Sequence, residues 1–271
     1  MTWMRFTFSQ VLLSQRVYWR DLGFALTGAM MPLALSLAFV VSQRGNGMIE
    51  GFGAGVFLLP GFIGFVMVWV VYNIINSAAA RRDRFVYKRL RGTPLPDSAI
   101  LTGEAVSGSI PSLLQVVLLI VVGGGLVHSP APRNIPLLLL GIVLGTLTFA
   151  MLAIAVSGLL PSGEVSTWIV TPVILLMMMT SGVAVPLSSL PDWSRHLTPY
   201  LPSSPVVEIL RTAYLGRDFA SHPMAAQGFP PVGLTGGFRA CAEPIALLCV
   251  WIALAVFLGR RYFRWDPRRG K

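Results

Sequence analysis

A chain of 271 residues that is 54% hydrophobic and only 12% charged cannot clothe a soluble surface, which takes about 25% charged residues. Its net charge of +10 is gathered in clusters beside apolar runs. That is the placement of topology signals and anionic-lipid contacts, not of a nucleic-acid face. The composition is that of an integral membrane protein with no nucleic-acid partner.

The first 21 residues are too polar to span, yet they are patterned. Arg5, Ser9, Arg16 and Arg20 fall within about 60° of one another at 100° per residue, and Trp3, Met4, Phe8, Val11, Leu12, Tyr18 and Trp19 occupy much of the remainder. The pattern predicts an amphipathic helix over 1–21 lying in the membrane interface. No small-residue cleavage site follows the first apolar run, so nothing here reads as a cleavable signal.

A spanning helix takes about 20 mostly apolar residues, and charge-poor intervals of that length predict six spans. They cover about 22–43, 52–80, 105–127, 135–160, 165–185 and 238–259. The second and fourth exceed what a bilayer requires, through tilt or through continuation beyond the membrane. A basic loop, 81–104, joins spans two and three, and a basic tail covers 260–271. With the N-terminus inside, 15 of the 21 lysines and arginines lie on the cytoplasmic side, so both termini are expected there. Small residues recur four apart at Gly51/Gly55 and Gly141/Gly145, a spacing that permits close helix packing.

The segment 186–237 behaves differently. VPLSSLPDWSRHLTPYLPSSPVVEILRTAYLG alternates prolines with apolar pieces too short to cross. It predicts short helices that enter the outer leaflet and return, which is tolerated where protein buries the broken backbone. A Gly- and Pro-rich extracellular loop follows.

Several chemistries are missing. Neither lysine, Lys88 nor Lys271, is followed by Ser or Thr, so no P-loop is present. His128, His196 and His222 are scattered, and Cys241 and Cys249 have no metal or disulfide spacing. Carboxylate pairs are absent from the spans, and Glu243 is the one acidic residue near a span that an ion-coupled carrier could use. The chain is not expected to catalyse a reaction alone, and no cofactor or metal is expected in it.

The stretch RRDRFVYKRLRGTPLP, 81–96, carries six basic residues within eleven positions. A short helix there would set Phe85, Val86, Tyr87 and Leu90 on one side with Arg82, Arg89 and Arg91 nearby, an apolar anchor with a charged rim, as docking sites have. A plain positive-inside signal explains the arginines but not the aromatic-aliphatic stretch or the Gly-Thr-Pro turn.

The same stretch, continued through DSAILTGEAVSG, resembles the cytoplasmic loop of type-2 ABC exporter permeases, in particular the daunorubicin-type drug-resistance branch. Asp83 and Arg84 match that family's charged pair, and Leu90, Arg91, Thr93, Pro94 and Leu95 match its ending. A second likeness lies in SGVAVPLSSLPDW followed by PSSPVVEILRTAYLG, where Ser181, Gly182, Pro186, Leu190, Pro191, Trp193, Arg211 and Gly216 fall in place. One departure is Phe85-Val86, where the family usually carries Gly-Thr.

The resemblance implies an all-α integral membrane fold of six transmembrane helices. To these it adds an N-terminal interfacial helix, a cytoplasmic coupling helix and short re-entrant helices before the last span. It implies a permease subunit of an ATP-driven exporter in the bacterial cytoplasmic membrane. Two separate ATP-binding cassette ATPases, carrying ATP and Mg, would power it beside a second permease copy or a paralogue. Contact with the ATPase would fall to Arg82, Asp83, Arg84, Phe85, Tyr87, Arg89, Leu90, Arg91, Thr93 and Pro94.

The substrate is expected to be hydrophobic or amphiphilic, a drug, antibiotic or lipid-like compound, because the spans offer almost no charge to hold a polar one. Its expected path runs by Met177, Met178, Met179, Thr180 and Ser181, methionine being a soft and adaptable lining, although packing explains the same residues. Pro186, Pro191, Trp193, Glu208 and Arg211 are the expected outer gate. Two other readings stay open: export of a lipid-linked glycan by the same fold, and a membrane scaffold that docks a cytoplasmic partner without transport.

Overall fold

The computed structural model describes residues 2–93, 95–160, 163–183, 197–221 and 228–262. Helix α1 (Thr2–Arg20) is followed by α2 (Leu22–Ser42), which contains one π-helical turn at Leu26–Met30. A two-stranded hairpin, β1 (Met48–Ile49) and β2 (Phe52–Gly53), leads into α3 (Ala54–Asp83). After it come α4 (Val86–Arg91), α5 (Asp97–Leu126, with a π turn at Leu119–Gly123), α6 (Ile135–Ser157) and α7 (Gly163–Thr180). The chain then forms α8 (Ser203–Leu215), α9 (Leu234–Ala240) and α10 (Ala242–Tyr262).

Helix α3 is the centre of the bundle. Its apolar residues lie all round the helix, and such a helix must be buried on all sides. It packs against α2, α5, α6, α7 and α8, and Phe62, Ile63, Phe65, Val66, Met67 and Trp69 are almost wholly enclosed. At 1.5 Å per residue its 30 residues measure about 45 Å, against a hydrocarbon core of about 30 Å. The surplus is taken up by tilt or by turns that extend beyond the apolar layer. Pro60, Pro111 and Pro172 sit inside α3, α5 and α7, tolerated because neighbouring helices enclose the interrupted ladder.

Contact between α2 and α3 depends on Gly28. A β-carbon there would lie 2.2 Å from Asn73 Oδ1 and 2.5 Å from the Tyr18 hydroxyl. Without one, the carbonyl of Gly28 accepts from Gln115 at 3.1 Å and from Asn73 at 3.5 Å. The π turn places this carbonyl where side chains of α3 and α5 reach it.

Among the described residues five helices, α2, α3, α5, α6 and α10, are long and apolar enough to cross a membrane. The expected span at 165–185 is instead a shorter apolar helix, Val165–Thr180, and residues 184 and 185 lie outside the described residues. The third span begins earlier than expected. The polar stretch from Asp97 to Glu104 continues the helix because Ala99, Ile100, Gly103 and Glu104 share a buried face. The linker expected over 81–104 therefore shrinks to 84–96, with α4 inside it. The last apolar helix starts at Ala242, after α9 ends at Ala240 and Cys241 caps it.

Helix α8 is too short to cross, and all but one of its residues are buried against α3, α6 and α10. Gly141 and Gly145 of α6 make that approach possible: β-carbons there would fall 2.8 Å from Ile209 and 3.0 Å from Val206 of α8. The exposed carbonyls at the end of a buried helix need partners. Here the amides of Arg133 and Asn134 donate to the carbonyls of Tyr214 and Ala213, at 3.2 and 2.9 Å, and Gly216 closes the turn in the left-handed region. The short hairpin, absent from the sequence reading, lies at the same end of the bundle as the start of α3, and its turn uses positive φ at Glu50 and Gly51.

Candidate coupling site

The last turn of α3 ends in two arginines that point to different neighbours. Arg81 Nη1 lies 2.8 Å from Glu104 Oε2 of α5, and its other terminal nitrogen donates to the hydroxyl of Ser14 on α1. Arg82 is buried; its two terminal nitrogens donate to the carbonyls of Ser157 and Leu160, at 2.9 and 2.8 Å, where α6 ends. A cation on the last carbonyls of a helix satisfies orphan acceptors and complements the helix dipole.

After Asp83 the chain turns sharply. Phe85 holds φ at +55°, in the left-handed region, and remains half exposed. Glycine is the usual residue at such a helix terminus, and this is the position where the resembling family carries glycine. A phenylalanine accepts a cost of about 1–2 kcal/mol there. Helix α4 then folds back so that Tyr87 is enclosed with Ala78, Ile100, Leu90 and Leu95. Burial, followed by the nearby charge of Glu104, raises the pKa of the Tyr87 hydroxyl well above the ordinary tyrosine value. It stays a neutral phenol.

Arg81, Glu104, Tyr87 and Ser14 thus bring four helices to one polar knot. Helix α1 is fastened further by Gln15, whose amide donates to the carbonyl and hydroxyl of Ser107 at 2.7 and 2.9 Å, and by the Trp3 indole on Ser98 at 3.3 Å. Tyr18 donates to Asn73 at 3.2 Å. Burial pushes the Tyr18 hydroxyl upward as well, with Tyr72 adding to it.

The residues expected to face a partner therefore divide. Asp83, Arg84, Phe85, Arg89, Arg91 and Thr93 are exposed. Lys88, not assigned from sequence, is exposed beside them. Arg91 Nε stands 3.5 Å from Asp97 Oδ1, both about half exposed, a pair worth little in water. Two expectations are corrected: Arg82 does not belong to a charged rim, because it is spent on the end of α6, and Tyr87 is not an outward anchor, because it fills the chain's own interior. Leu90 is half-buried and turns toward α1. Pro94 lies outside the described residues. Glu104 escaped the sequence reading; its isolation among Gly103, Ala105 and Ser107 was the available signal.

The expected substrate path does not form one row. Met177 and Met178 pack against the core, Met179 is 62% exposed, and Ser181 is buried with its hydroxyl on the Met178 carbonyl. Thr180 bonds back to Leu176 of its own helix. Of the expected outer gate, Pro186, Pro191 and Trp193 lie outside the described residues. Glu208 and Arg211 lie on one face of α8, three positions apart. Arg211 donates to the carbonyls of Gly182 and Val183 and lies over the Phe57 ring at 4.5 Å, so α8 is tied to the end of α7 and to α3. No group of acidic, histidine or cysteine residues suited to a metal occurs among the described residues.

Comparison with known proteins gives a family match and two relatives. The model of the ABC-2 type transporter family matches residues 10–215. Nodulation protein J of Bradyrhizobium diazoefficiens is 25% identical over 220 residues, 80% of this chain and 76% of the relative. Nodulation protein J of Sinorhizobium fredii is 26% identical over 173 residues, 63% of this chain and 66% of the relative. The matched region takes in α2 through α8, including the knot around Glu104 and the buried helix α8. The chain belongs to the ABC-2 type transporter family.

Proposed function

We propose that the chain is the permease subunit of an ATP-driven exporter, and that α4 is the element through which a separate ATPase moves it. The observation that carries this reading is the joint at the end of α3. Helix α4 is fixed to the most buried helix of the bundle through Tyr87, Glu104 and Arg81, while Phe85, Lys88, Arg89 and Arg91 face outward. A push on that outward face reaches α3 directly, and α3 touches five other helices. An aromatic ring rimmed by cations is the composition expected of a docking surface.

On this reading the bundle has six spans. Helix α7 belongs to the fifth. Helices α1 and α4 and both termini face the cytoplasm of a bacterial cell. Two ATP-binding cassette subunits hold ATP and Mg, and a second permease copy or a paralogue completes the path. The face of α7 bearing Trp168, Ile169, Val173, Leu176 and Met179 is exposed and apolar, and the substrate is hydrophobic or amphiphilic. Both relatives are named for nodulation, which lends no support to a drug or antibiotic as cargo.

The test is a pull-down of the tagged chain from its own membranes in mild detergent, with ATPase activity assayed on the eluate. A co-purifying P-loop ATPase that is lost on changing Phe85 and Arg89 together to Ser supports the reading. An ATPase-free preparation across several detergents would favour the scaffold role.

A further inference from the structure

A cavity of about 300 Å³ lies between α1, α3 and α4. Along α3 it extends from Asn73 to Arg81, eight positions and so about 12 Å at 1.5 Å per residue, and Arg84 lies just past the helix end. Its walls are mainly apolar, with Val17 from α1, Ala80 from α3, and Val86 and Leu90 from α4. Leu13 and Val17, more than half exposed, form its edge toward the surface along which α1 lies. One end is closed by Tyr18 and Asn73, bonded to each other. Arg81 and Arg84 line the other end.

We infer that this cavity binds one anionic phospholipid, its acyl chain between α1 and α3 and its headgroup at Arg84. The charges decide for an anionic lipid over a neutral one. Arg81 is already paired with Glu104. Arg84 is exposed, with no ion pair or side-chain hydrogen bond among the described residues. Asp21 also lines the cavity, but its carboxylate caps the start of α2, accepting from the Phe24 amide at 3.2 Å. Depth agrees with this occupant: α1 carries exposed Trp3 and Trp19, residues that settle at the headgroup level, so the mouth of the cavity lies where lipid headgroups are. A lipid seated there touches α1 and the Val86–Leu90 face of α4 at once. The position of α4 then depends on the anionic lipid content of the membrane.

Binding is measured on the full-length chain in nanodiscs of phosphatidylcholine doped with phosphatidylglycerol, by counting lipids retained in native mass spectrometry. The expected result is one retained phosphatidylglycerol per chain. Arg84→Gln lowers that occupancy about fivefold, the effect of one surface cation on anionic-lipid affinity, and Ser77→Leu abolishes it by filling the cavity. Arg16→Gln, on the outward polar face of α1, leaves it unchanged. Equal retention of phosphatidylcholine, equal losses for Arg84→Gln and Arg16→Gln, or full retention in Ser77→Leu would each overturn the proposal. The readout needs neither ATPase nor transport, so its failure leaves the permease reading standing.

Discussion

Arg81 at the end of α3 meets Glu104 near the start of α5 at 2.8 Å, and Glu104 is only 3% exposed while Arg81 is 18% exposed. The asymmetry sets the consequence of breaking the pair. Removing Arg81 strands a buried carboxylate, whereas removing Glu104 leaves a cation that can still reach water and Ser14. Breaking a buried pair from one side costs about 3–5 kcal/mol. Arg81→Ala is therefore expected to be the most destabilising of the three variants Arg81→Ala, Glu104→Gln and the double change, with the double change partly restored. Thermal unfolding of the three proteins in one detergent checks this order.

Tyr87 separates packing from polarity. Tyr87→Phe keeps the ring among Ala78 and Ile100 and removes only the hydroxyl near Glu104, the smaller of the two losses. Tyr87→Ser empties the site and costs about 3–5 kcal/mol, as large-to-small changes of buried aromatics do. Unfolding midpoints should rank wild type, Phe variant, Ser variant. A Ser variant as stable as the Phe variant would place the ring outside the interior.

The same residue predicts an alkaline limit. Its pKa is raised in the folded state from the ordinary 10.0, so above pH 10 the unfolded chain releases a proton that the folded chain retains. Stability from this group is complete below that pH and falls as pH rises through the folded value. Unfolding followed from neutral to strongly alkaline pH should show a decline that is shallower in Tyr87→Phe.

Phe85 joins an unfavourable backbone to an exposed ring. Phe85→Gly removes the left-handed penalty of about 1–2 kcal/mol, partly offset by glycine's freedom in the unfolded chain. Stability is expected to hold or rise slightly, while co-purification of an ATPase weakens. Strain kept at an exposed aromatic is the mark of a position held for contact. If binding to the ATPase is unchanged, Phe85 plays no part in docking.

Gly28 tests the approach of α2 to α3. A β-carbon there would overlap Asn73 and Tyr18, so Gly28→Ala should cost about 1–3 kcal/mol by overpacking. Gly125 in α5 has nothing within 4 Å of such a carbon, and Gly125→Ala should be neutral or mildly stabilising on helix propensity. Paired melting curves of the two variants give the comparison directly.

The sequence by itself determined the solvent, the helical class and the approximate positions of the apolar helices, because hydropathy and charge spacing act locally and survive without any partner. The helix of α1 was legible in its arginine stripe. A charged break after the second apolar helix was legible in its arginines and its Gly-Thr-Pro ending, though not its bounds, and the shortness of α8 in the length of its apolar pieces. Tertiary structure alone decided which arginine turns where. Arg81 and Arg82 are adjacent and chemically identical, and only the positions of Glu104 on α5 and of the α6 end give one a carboxylate and the other two carbonyls. It likewise decided that Tyr87 faces inward and Phe85 outward, since a six-residue helix has no periodicity long enough to announce its buried face, and the backbone reversal at Phe85 rotates it. Glu104 was hidden for the same reason. A carboxylate's role follows from the cation that crosses to meet it, and that distance is set by the packing of α3 against α5.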